Sequence, residues 1–246
     1  MQVNSSVTIY TYIQLETKSI NFYHKIMTVE DNRAFTLKTR EMFTSIAPRY
    51  DFLNRLLSLG LDRYWRKKAI DSLGFLENQC ILDVGTGTCD MVIEVAKRNP
   101  SVQIFGLDFS RRMLDLGQIK ITKKDYNQIV SLQIGSGEYL PYADTSFDGV
   151  VCAFGVRNFA DVQLGLEEFY RVLKPGGMVV ILEFFIPPNK LFDSVYEWYF
   201  NFILPKIGKL ISGHSNAYSY LPESVANFPN QKKFTKCIEN AGFQNV

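Results

Sequence analysis

The 246-residue chain, 46% hydrophobic and 21% charged, is long enough for one large domain, or at most two small ones, with a real buried core. A formal net charge of +2 is too small to point to nucleic acid as a partner, and no apolar run reaches the roughly 18 residues of a membrane-spanning helix. Two histidines, His24 and His214, exclude a His-rich metal centre, and Cys80, Cys89, Cys152 and Cys237 lack CxxC spacing and read as reduced thiols, so no metal is expected.

Residues 1–26 have neither helical periodicity nor the pattern of a signal or transit peptide. We read residues 1–33 as a poorly ordered N-terminal extension and residues 34–246 as the domain. Apolar residues recur at helical spacing over residues 39–59, interrupted at Pro48, and a second helix is predicted over 62–73. The period then changes. Residues 80–84 form a short apolar run ending at Gly85, as a buried strand does, and a helix follows over 90–97. Further strands are predicted at 102–107, 129–134, 147–153 and 178–183. Ser110 caps one intervening helix and residues 161–173 form another, with Lys174-Pro175-Gly176-Gly177 read as a turn. Strands alternating with helices imply a parallel sheet covered on both faces. Beyond Pro188 an aromatic-rich stretch to Tyr220 reads as helices over the carboxyl edge of the sheet.

The sharpest local signal is Asp83-Val84-Gly85-Thr86-Gly87-Thr88-Cys89-Asp90, a strand feeding a glycine turn and then a helix. Gly85 and Gly87 let the backbone turn tightly and approach a ligand. A dinucleotide fingerprint would need glycine at position 90, where Asp90 stands. An acid at a helix N-terminus is a poor neighbour for pyrophosphate but a good one for a cationic ligand such as S-adenosylmethionine. Asp108, ending the next strand, is placed to accept ribose hydroxyls.

The segments Arg49-Tyr50-Asp51-Phe52-Leu53-Asn54 and Phe154-Gly155-Val156-Arg157-Asn158 are more specific, and with Lys174-Pro175-Gly176-Gly177 and Tyr218-Ser219-Tyr220-Leu221-Pro222-Glu223-Ser224 the chain resembles the ubiquinone/menaquinone biosynthesis C-methyltransferases from about residue 39 onward. The resemblance implies a class I S-adenosylmethionine-dependent methyltransferase, an α/β Rossmann-like fold with a mostly parallel sheet and an N-terminal helical lid that includes Tyr50, Asp51 and Asn54. It implies C-methylation of a polyprenylated quinol. The resemblance favours demethylmenaquinol, with a ubiquinone-branch benzoquinol or a non-catalytic binding role as alternatives. Cofactor contacts carried over fall on Thr88, Asp108, Ser136, Gly137 and Ala153, beside Gly85 and Gly87 of the turn. Arg157 is the candidate for stabilising the quinolate oxygen, with Asn158 as hydrogen-bonding partner. The resemblance further implies a cytoplasmic protein in transient contact with the inner face of the membrane, and is compatible with a homodimer. Two departures stand out. Cys89 replaces a family glycine, and Ser136-Gly137 replace an acidic or amide residue followed by alanine. Family members also continue past Gly242-Phe243 into further strands, so an unpaired sheet edge is expected here.

Overall fold

The computed structural model describes residues 6–11, 29–74, 79–185 and 216–246. Its centre is a six-stranded, wholly parallel sheet. The strands are β1 (Ser6–Thr11), β2 (Cys80–Val84), β3 (Gln103–Asp108), β4 (Val130–Ile134), β5 (Phe147–Ala153) and β6 (Leu173–Glu183), in the spatial order β1-β6-β5-β2-β3-β4. The strand order reverses beside β2, the topological switch point at which ligands bind outside the carboxyl ends of such sheets.

Helices cover both faces. On one side α3 (Leu61–Asp71) and α4 (Asp90–Arg98) bury Trp65, Ile70, Met91 and Val95 against Ile81, Ile104 and Val180. On the other, α6 (Val162–Val172) and the C-terminal α8 (Gln231–Asn240) bury Phe169, Phe234 and Ile238 against Leu82, Val150 and Ile181. The central strands therefore read as continuous apolar runs rather than alternating ones. The lid is α1 (Val29–Ile46), a single 3-10 turn carrying Pro48, and α2 (Tyr50–Leu57). Proline, lacking an N–H, ends the first helix and starts the turn. The set is completed by α5 (Arg111–Lys123), whose first turn is capped by the Ser110 hydroxyl accepting from Met113, and by α7 (Asn216–Asn227).

Three expectations change. The Lys174–Gly177 segment is not a turn ahead of the last strand but part of β6, which starts at Leu173 and follows β5 through a register shift near Asp148. Gly176, at φ +82, supplies the left-handed residue this irregularity needs. The first helix begins at Val29, ahead of the boundary expected at residue 33. The sheet edge beside β6 is also paired: Ser6 to Thr11 lie parallel to Met178 to Glu183, position for position. Most of the aromatic stretch beyond Pro188 lies outside the described residues.

Candidate active site

The carboxyl ends of β2, β3 and β5 and the lid border a cavity that is partly open to solvent. It is lined by Gly85, Gly87, Asp108, Ser136, Gly137, Ala153 and Asn158, all expected from the sequence. The lid contributes Thr36, Phe43 and Tyr50, which the sequence did not single out as lining. Thr88 and Arg157 are not in the lining.

The cofactor turn is built by backbone conformation. Gly85, Gly87 and Cys89 all have positive φ, at +69, +54 and +67. The N–H groups of Gly85 and Thr86 both donate to the Leu107 carbonyl, at 2.8 and 3.0 Å, which pins the turn onto β3. Gly87 N–H donates to Asp108 Oδ2 at 2.8 Å, and Ser110 N–H to Oδ1 at 2.8 Å. Each carboxylate oxygen thus keeps accepting capacity for a ligand. Asp108 is only 4% exposed. Burial pushes its pKa up to about 6, against the pull of the two backbone N–H groups. Its neighbour Asp83 is raised further, to about 7, chiefly by burial and in part by the Asp108 charge, while Thr86 donates to it at 2.6 Å.

Cys89 is a non-glycine residue in left-handed backbone and fully buried. Space for it is provided by Gly117 in the middle of α5, where a Cβ would strike the Cys89 sulfur. Burial pushes the thiol up to about 12. At the second departure, the Ser136 hydroxyl donates to Glu138 Oε2 at 2.7 Å, and Glu138 Oε1 accepts from Asp161 N–H at 2.9 Å. The Ser136 hydroxyl proton is therefore spent within the loop. A Cβ at Gly137 would strike the Phe159 ring, which also fills the gap above Gly165. Glycine is required where the family pattern has alanine.

Thr88 and Asp90 face the lid. Thr88 donates to Asp51 Oδ1 at 2.5 Å and accepts from Lys120 Nζ at 3.0 Å. Lys120 also binds Asp51 and Asp90, and Arg55 binds Asp90 Oδ2 at 2.7 Å. Burial opposes the Asp90 charge, but the Arg66 and Lys120 charges and hydrogen bonds from Lys120 and Arg55 outweigh it and hold the pKa near 2. This corrects the expectation that Asp90 serves a cationic ligand: its carboxylate is already neutralised by two side chains.

Arg157 is similarly engaged. Its Nη1 donates to Glu183 Oε1 at 2.5 Å and to the Phe154 carbonyl at 2.8 Å, and its backbone N–H donates to Glu183 Oε2 at 3.2 Å. Both side chains are buried, and the guanidinium lies over the Phe184 ring at 5.7 Å. Asn158 Nδ2 donates to the same Phe154 carbonyl at 3.0 Å, while its Oδ1 accepts from the Tyr220 hydroxyl at 2.8 Å. A carbonyl can only accept, so the amide orientation is fixed, and one Asn158 N–H has no partner among the described residues. Thr39 of the lid hydrogen-bonds Tyr220, whose pKa is raised mainly by burial. Tyr220 sits in the sequence motif, but nothing in its spacing announced that it would meet Asn158.

The sequence profile of the ubiE/COQ5 methyltransferase family matches residues 27–246. The chain is 50% identical over 210 residues to the ubiquinone/menaquinone biosynthesis C-methyltransferase UbiE of Geotalea daltonii, covering 85% of this chain and 89% of that one. It is 49% identical over 205 residues to the demethylmenaquinone methyltransferase of Deinococcus radiodurans, covering 83% and 84%. Among solved structures, YcgJ of Bacillus subtilis aligns with a TM-score of 0.55 at 20% identity, covering 72% of this chain and 67% of that one. An S-adenosylmethionine-dependent methyltransferase of Aquifex aeolicus gives 0.53 at 19%, covering 72% and 78%. Both share the fold. The chain belongs to the ubiE/COQ5 methyltransferase family.

Proposed function

We propose that the protein transfers a methyl group from S-adenosylmethionine to a ring carbon of demethylmenaquinol. The observation that carries this reading is one cavity lined both by the buried Asp108 carboxylate and by Asn158, one of whose amide N–H groups has no partner among the described residues. The residues present fit the cofactor. Asp108 offers two oxygens with spare accepting capacity to a ribose diol, and Gly85 and Gly87 leave bare backbone for close approach. When bound, S-adenosylmethionine supplies an electrophilic methyl group. The chain's own residues act on the quinol. As the quinol hydroxyl loses its proton, charge spreads to the ortho carbon, and Asn158 N–H stabilises the oxygen bearing the remainder. The ortho carbon would then form the new C–C bond as the S–CH3 bond of the sulfonium breaks and the neutral thioether leaves, and loss of the ring proton to water would restore the aromatic ring. Arg157 is a positioning residue in this scheme. With Asn158 it draws in the carbonyl of Phe154, a non-glycine residue at φ +59, and so holds the turn that presents Asn158.

Demethylmenaquinol is favoured over a benzoquinol because the names of both relatives above include menaquinone, and only one includes ubiquinone. A prenylated quinol resides in a bilayer, so the protein works at the cytoplasmic membrane surface. Among the described residues no helix is long and apolar enough to cross it. The test is to incubate the protein with S-adenosylmethionine and each reduced quinone precursor, and to follow the added methyl group by mass spectrometry. Methylated naphthoquinol is expected; methylated benzoquinol alone would assign the other branch.

A further inference from the structure

Four large apolar side chains are exposed between residues 52 and 64: Phe52 at 57%, Leu59 at 82%, Leu61 at 50% and Tyr64 at 51%. They belong to the hairpin of α2 and α3. Phe52 is on α2, Leu59 is in the turn that follows it, and Leu61 and Tyr64 are three apart on α3. The opposite faces of these helices bury Leu53, Trp65, Ala69 and Ile70 in the domain. Leu59 occupies the turn tip in left-handed backbone at φ +52, next to Gly60 at φ +80. Turn tips in water are ordinarily polar, and a cluster of apolar residues there marks a surface that something covers.

Charge identifies the occupant. The acids of the hairpin are engaged by cations: Asp51 by Lys120, Asp62 by Arg55 and Arg66, and Asp71 by Arg98. Exposed Arg49, Arg63, Lys67 and Lys68 are left to set the sign of the face. A second copy meeting this patch about a twofold axis would bring that cationic collar against itself. An apolar tip with a basic collar instead matches an anionic bilayer, whose headgroups take the cations while the acyl boundary takes the apolar side chains.

We propose that the α2–α3 hairpin docks the protein onto an anionic membrane surface, with Leu59 and Leu61 entering the interface. This rests on the quinol-methylating reading for its purpose. Tyr50, the first residue of α2, lines the active-site cavity, so docking would set the lid against the layer that holds a prenylated substrate.

The experiment is co-sedimentation of the full chain with vesicles of phosphatidylcholine, with and without phosphatidylglycerol. Binding is expected only to the anionic vesicles, with release by salt. The Leu59→Glu/Leu61→Glu variant should bind them roughly tenfold or more weakly. It should keep its S-adenosylmethionine affinity and its turnover of a soluble, short-chain demethylnaphthoquinol. Lys67→Glu/Lys68→Glu should lower anionic-vesicle binding by a similar factor, at about fivefold per cation. Equal sedimentation of parent and Leu59→Glu/Leu61→Glu variant would overturn the proposal, as would a parent that binds neither vesicle. A parent dimer that the same substitutions dissociate, without vesicle binding, would assign the face to a second copy. Vesicle binding without turnover of the soluble quinol would sink the functional reading and leave the docking surface standing.

Discussion

With Asp108 in its proposed role, cofactor binding and fold stability respond to pH with opposite signs. The ionised carboxylate is the form that accepts from ribose hydroxyls, and burial raises its pKa to about 6. S-adenosylmethionine affinity should therefore fall as pH drops through about 6. Fold stability moves the other way. The folded pKa of Asp108 lies above its unfolded value, so its contribution is fully present below about pH 4 and is lost as pH rises through about 6. Asp83 loses its own share as pH rises through about 7. Calorimetric titration from about pH 8 to about pH 5 should show weakening binding, with Asp108→Ala weaker by roughly 10- to 150-fold and its pH dependence largely gone. An affinity flat across that range would remove Asp108 from the cofactor site. The Arg157 neighbourhood separates support from chemistry. Tyr220→Phe removes the hydroxyl that occupies Asn158 Oδ1 and should lower kcat by about tenfold or more, with the cofactor Kd unchanged. Asn158→Ala should lower it at least as far. Arg157→Ala leaves Glu183 buried and unpaired, and should cost about 3–5 kcal/mol in denaturant unfolding. A well-folded Arg157→Ala protein with a large loss of kcat would instead place its guanidinium in the chemistry.

At the scale of elements, helix α5 and the cofactor turn are fitted to one another through a single pair. Gly117 lies mid-helix, where glycine ordinarily costs about 1 kcal/mol relative to alanine, yet an added methyl would strike the Cys89 sulfur. Gly117→Ala should therefore destabilise the protein by about 1–3 kcal/mol. In a Cys89→Gly background the same change should cost little, and the coupling can be read from a double-mutant cycle. Additive effects would show that the two positions do not share the space. Element boundaries were legible where composition and backbone agree: β2 and β5 have the predicted limits, because each is an apolar run closed by a sharp change of backbone. The start of β6 was not. Lys174-Pro175-Gly176-Gly177 carries turn residues and has no partner on β5, where Phe147 faces Leu173 and Gly149 faces Met178; it is an irregular insertion within the bounds of β6 that composition alone does not tell from a turn. Seven expected site positions reached the cavity because the switch point of a parallel sheet gathers strand ends in a known order. Thr88, carried over from the resemblance, Asp90, read from its place at a helix N-terminus, and Arg157, read from its segment and its chemistry, were each claimed by an ion or hydrogen-bond partner distant in sequence, Lys120, Arg55 or Glu183.

For the whole molecule, the largest departure from expectation is the occupied edge beside β6. Removing residues 1–11 should strip that strand of its neighbour, lowering the melting temperature and promoting concentration-dependent association, which light scattering would register. Unchanged melting and monodispersity would mean that β1 adds nothing to stability. Its position also sets an order of events during synthesis. Ser6 pairs with Met178, about 170 residues further along the chain, so β1 leaves the ribosome long before the strand it pairs with. At elongation rates of about 5–20 residues per second, that is a wait of roughly ten to thirty seconds. Strands β2 to β5 can pair in the meantime through shorter loops, whose closure entropy is smaller. Strand β1, made before its partner, is thus placed to join the sheet after β2 to β5 have paired.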